Sequence, residues 1–85
     1  MKYLDKETCE YLVSLGCTSE NQACYDFDSS IPMFSLEDIL RKDNAEKIFE
    51  RAGFSGLDSY ARRIVWCFQL NPDTWPEEVA KLIKP

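Results

Sequence analysis

The chain contains no histidine. That removes the commonest general base, the usual partner of a nucleophilic cysteine, and the imidazole ligands of most zinc sites. The four cysteines, at positions 9, 17, 24 and 67, form no Cys-x-x-Cys pair. A structural zinc site would therefore need four scattered thiolates, and none is expected. Only three glycines are present, and they form no phosphate-cradling loop. The longest uninterrupted apolar run, Ile64 to Phe68, is far short of the roughly 20 residues that cross a bilayer. No basic-then-apolar signal pattern opens the sequence. The expectations from these absences are a cytoplasmic, non-catalytic protein with no metal, no cofactor and no membrane span.

What is present is an ordinary globular composition. Of 85 residues, 45% are hydrophobic, including five Phe, four Tyr and two Trp, which suits one packed domain over residues 1–85. Each cysteine lies beside apolar neighbours, so the expectation is reduced thiols in the core. The net charge of −5 is unevenly spread. Glu7, Glu10, Glu20, Asp26, Asp28, Glu37 and Asp38 lie in a stretch from Glu7 to Leu40 that has no lysine or arginine. From Arg41 onward the two signs nearly balance. Such an acidic lobe disfavours nucleic acid and anionic membrane and favours a partner with a basic surface.

Local patterns predict a mainly α fold: four to five short helices, with a short two-stranded β-hairpin after the first. Asp5 to Leu15 reads as a helix with Asp5 as N-cap, Cys9, Leu12 and Val13 on one face, and Gly16 at its end. "ACYDFD" alternates like a strand, "DSS" reads as a turn, and "IPMF" returns as an edge strand limited by Pro32. Ser35-x-x-Asp38 is a capping pattern that opens a second helix. The apolar phase then slips, and Asp43-x-x-Glu46 suggests a fresh start, so a break is expected between Lys42 and Asn44. The following helix ends at Gly53. The next spans Asp58 to Leu70 and stops at Asn71-Pro72. The last starts at Thr74, through a Thr-x-x-Glu box with Glu77, turns Trp75, Val79, Leu82 and Ile83 inward, and runs nearly to Pro85.

Two segments resemble known binding motifs. In "DFDSSIPMFSLE", Asp26, Asp28, Ser30 and Glu37 take the first, third, fifth and twelfth places of an EF-hand calcium loop. Ile31 stands where that loop needs glycine, and Pro32 follows it. An acid-rich hairpin before a capped helix explains the same letters, and no calcium site is expected. "IFERAGFSGLDSYARR" resembles the helix-turn-helix of the arabinose-operon-regulator family of transcription factors. Gly53, Phe54 and Ser55 match its turn, Ser59 and Tyr60 its second helix, and Arg62 and Arg63 the basic residues after it. That resemblance implies a DNA-binding regulator using residues 44–70, whose second helix enters a major groove. A net charge of −5 opposes the phosphate neutralisation that this requires.

The helix "SYARRIVWCF" decides between the readings. Leu57, Tyr60, Ala61, Ile64, Val65 and Phe68 fall on one arc, with Ser59, Arg62, Arg63, Trp66 and Leu70 opposite. Arg62 and Trp66 have the spacing for a guanidinium to lie over the indole. A helix apolar nearly all round is usually buried all round. On that expectation Trp66 packs under the hairpin or the last helix, and the arginines are the internal counter-charge of the acidic lobe. The sharper alternative is an exposed partner-binding patch of Trp66, Arg62, Arg63 and Leu70. The function expected is binding to another macromolecule, a protein above all. A small acidic domain of this kind resembles in type the phage or mobile-element inhibitors that mimic nucleic acid. In that case Glu7, Glu10, Glu20, Asp26, Asp28, Glu37 and Asp38 are the contact surface.

Overall fold

In a computed structural model, residues 3–21, 23–25 and 31–84 are described. Among them are five helices: α1 (Lys6–Ser14), α2 (Leu36–Leu40), α3 (Lys42–Phe49), α4 (Leu57–Leu70) and α5 (Trp75–Ile83). No helix is long and apolar enough to cross a membrane among the described residues.

α1 forms where its caps place it. The Asp5 carboxylate accepts from the Thr8 N–H at 3.2 Å and the Thr8 hydroxyl at 2.6 Å. At the far end Gly16, at φ +91°, donates to Val13, and Cys17 donates to Leu12. That paired reversal closes the helix and turns the chain back on itself. Thr8, Cys9 and Leu12 are buried, whereas Val13, expected on the same face, is 44% exposed.

The expected β-hairpin is not formed among the described residues. Its two arms meet at one antiparallel bridge, Cys24 with Pro32, flanked by Tyr25 N–H to Ile31 at 2.9 Å and Met33 N–H to Ala23 at 3.0 Å. Pro32 takes a non-hydrogen-bonded place in this pair, and the next ladder bond is not made because the Ala23 N–H donates to the Asn21 side chain. Beyond it the chain finds other partners. The Met33 carbonyl accepts from the Asn21 side chain, the Phe34 carbonyl accepts from Leu4 N–H, and the Phe34 N–H donates to the Cys9 sulfur. Asp26, Asp28 and the rest of the expected turn, 26–30, lie outside the described residues.

α2 carries the capping box expected from Ser35 and Asp38. The break that follows comes earlier than the pattern suggested, at Arg41, whose extended backbone (ψ 137°) separates α2 from α3. Asp43 is not the cap. It sits in the first turn of α3, where its carboxylate meets the Arg41 guanidinium at 2.7 Å. Nor does the Thr74 side chain cap α5; the turn is closed by the Glu77 N–H on the Thr74 carbonyl.

α3 packs on α4, α4 on α5 and α2 on α3. Their shared core holds Leu4, Leu12, Phe34, Ile39, Ile48, Tyr60, Ile64, Val79 and Ile83, all fully buried. The Tyr60 hydroxyl donates to the Ile39 carbonyl at 2.8 Å, tying the first turn of α4 to α2. Trp75, Val79 and Ile83 turn inward from α5 as the spacing suggested.

Candidate functional site

α4 is buried on one side only. Tyr60, Ile64 and Cys67 form its inner face. Trp66 is 51% exposed and Leu70 56%, with Ser59, Arg62 and Arg63 exposed beside them. At 100° per residue these five positions form one outward stripe running about 16 Å along the helix. The expectation that Trp66 is covered by the hairpin or by α5 is therefore overturned. The helical arc is broad enough to look buried all round, but neighbours cover only one side. Phe68, expected in the core, is 37% exposed and meets Trp75 edge-on at 6.2 Å.

The arginine over the indole is Arg63, not Arg62, with its guanidinium carbon 5.4 Å from the ring centroid. Neither arginine forms an ion pair among the described residues. The counter-charge of the acidic lobe is Arg41 instead. Its guanidinium reaches Asp43, Glu20 at 3.5 Å, Asp38 at 4.0 Å, and the carbonyl and hydroxyl of Thr18 at 2.9 Å each. Arg41 lies nearer in the fold because the loop after α1 folds back against the α2–α3 junction. Asn44, fully buried, pins that loop: it accepts from Thr18 N–H and donates to the Thr18 and Asp38 carbonyls.

The acidic surface is thus smaller than the sequence suggested. Asp38 is buried and is taken by Ser19, Ser35 and Arg41. Glu7 pairs with Lys84 at 2.9 Å, and Glu20 faces Arg41. Glu10 and Glu37 are exposed, and Asp26 and Asp28 lie outside the described residues. Cys9, Cys17 and Cys67 are buried free thiols, but Cys24 is exposed, a correction to the expected core placement. Burial pushes the Cys9 thiol up to about 11 and raises Cys17 and Cys67 as well. No cluster with metal-binding composition occurs among the described residues.

The stripe of α4 borders an open groove of about 1080 Å³, walled on its other side by the turn from Gly53 to Gly56. Phe54 stands edge-on to Tyr60 at 5.4 Å, and with half-buried Leu57 it gives the groove an apolar wall. Arg62, Arg63 and Trp66 form the opposite wall. The sequence pattern marks Phe54 only as a turn residue and Leu57 only as a core residue, and carries no signal of their place in the groove. Comparison with known proteins gave no matching family, no matching curated protein and no matching solved structure.

Proposed function

We propose that this protein works by binding another protein, with the outward stripe of α4 as its contact face. One observation carries the reading: Trp66 is half exposed on a helix whose inner face, Tyr60, Ile64 and Cys67, is buried, and Arg62, Arg63 and Leu70 lie in line with it. Tryptophan and arginine dominate interface hot spots, and an indole held under a guanidinium loses little side-chain freedom on binding. The acidic residues then serve solubility and local pairing more than recognition. A photo-crosslinking residue placed at Leu70 should capture a partner in host cells, and one at Val13, exposed on α1, should not. Capture should vanish with Trp66→Ala. Equal capture from both positions would reject the reading.

A second reading rests on Ser59, Arg62 and Arg63 standing exposed on α4 after the α3–turn–α4 pair, which is where a DNA-reading helix would carry them. The test is a salt titration with random duplex DNA. Measurable affinity that falls steeply with salt would replace the protein partner with DNA; no binding at low salt is expected.

A further inference from the structure

We infer that the groove between α4 and the Gly53–Gly56 turn takes an acidic segment of the partner protein, with one apolar side chain as its anchor. This inference rests on the protein-binding reading above and assigns the chemistry of what fills the same face.

Charge complementarity selects the occupant. The protein carries a net charge of −5, yet no acid occurs from Ser59 to Pro72, where Arg62 and Arg63 are the only charges. Both arginines wall the groove, and no ion pair within the described residues neutralises them. Asp58, which also lines the groove, is the acid nearest them in sequence. Two arginines against one aspartate leave the groove lining with a net positive charge, unlike the surroundings of Arg41, where Glu20, Asp38 and Asp43 outnumber the guanidinium. A basic partner would leave two guanidinium groups facing like charge. A neutral one would desolvate them without replacement.

The apolar wall sets the second requirement. Phe54, Leu57 and the open face of Trp66 offer surface for one large aliphatic or aromatic side chain. Arg63, already over the Trp66 ring, is placed to donate to a carboxylate beside that anchor. The groove lies at the upper end of the volumes that small-ligand pockets reach, and it is open, which suits a stretch of polypeptide better than a small molecule.

The test is selection of a random-peptide library displayed on phage against the full chain, with Trp66 emission as the readout on synthetic versions of the enriched peptides. The expected outcome is enrichment of acidic residues flanking one large apolar residue, with a blue shift of Trp66 emission on binding. Arg62→Gln with Arg63→Gln should weaken binding roughly tenfold, the amount two exposed charge pairs supply, with far-UV circular dichroism unchanged. Enrichment of basic or uncharged peptides that still shift Trp66 would overturn the acidic occupant and leave α4 as a binding face. Enriched peptides that do not perturb Trp66, or no enrichment at all, would remove both. Trp66 shielded from acrylamide in a concentration-dependent dimer would give the groove to a second copy of the chain and likewise overturn the proposal.

Discussion

Trp66 and Trp75 are chemically identical and sit at 51% and 3% exposure, so they should respond in opposite ways to the same change. Trp75→Ala empties a core position and should cost about 3–5 kcal/mol, a large part of what holds a domain this small. Trp66→Ala removes only surface contacts and should shift stability by no more than about 0.5 kcal/mol. Urea denaturation of the two variants measures both, and a large loss from Trp66→Ala would mean that its indole has an internal role. Asn44 is the other residue whose work is defined at this scale. Replacing it with alanine removes its bonds to the part-buried Thr18 N–H and the buried Asp38 carbonyl and leaves a void where the carboxamide packed, for an expected loss of about 2 kcal/mol. Its buried carboxamide had no sequence signature, because asparagine after a helix break reads equally well as a solvated turn residue.

At the scale of elements, local chemistry was readable at the caps of α1 and α2, though not at the expected Asp43 and Thr74 caps, where no side-chain cap bond is made. The Asp5 cap, the Ser35–Asp38 box and the glycine at the end of α1 all lie where the pattern placed them. Gly53, at φ +82°, ends the turn after α3 in a conformation that any side chain strains. Nothing lies within 4 Å of a Cβ built there, so Gly53→Ala isolates the backbone term from packing. It should cost about 1–2 kcal/mol by thermal or urea unfolding, and a neutral result would mean that the turn relaxes. The hairpin failed at this same scale. Alternation along "ACYDFD" and "IPMF" describes which way side chains point, but the hydrogen bonds that would build a ladder go to Leu4, Cys9 and Asn21. Competition from residues distant in sequence leaves no trace in the alternation.

The molecule as a whole has an alkaline limit set by its buried hydroxyl and thiol groups. Tyr25 donates to the Leu4 carbonyl, and burial pushes its hydroxyl up from 10.0 to about 12. Burial likewise moves the Cys9 thiol from 9.0 to about 11 and raises the Tyr60 hydroxyl above its ordinary value. Each group binds its proton more tightly in the folded state than in the unfolded one. Their contribution is therefore complete below the ordinary values and is lost as pH rises through the folded ones. Urea midpoints should hold level up to about pH 9 and decline between about 9 and 12. Tyr25→Phe should flatten the upper part of that decline. A midpoint that falls instead between neutral pH and pH 9 would contradict this account.

Sequence by itself determined the helical class, most helix ends, the inward face of α5 and the inner residues Tyr60 and Ile64 of α4. These follow from 3.6-residue periodicity and from capping contacts that span three or four positions. Tertiary structure alone decided which of two apolar-looking sides of α4 is covered, that Arg41 rather than Arg62 or Arg63 answers the acidic loop, and that Asp38 is interior. A helical wheel ranks the sides of a helix by polarity. Only the count of neighbouring elements fixes how many sides are buried, and here α3 and α5 pack against α4 while its outward stripe remains open. Coulomb pairing depends on proximity, and the fold brings residue 41 to residues 18 and 20 while leaving residues 62 and 63 on the open wall of a groove.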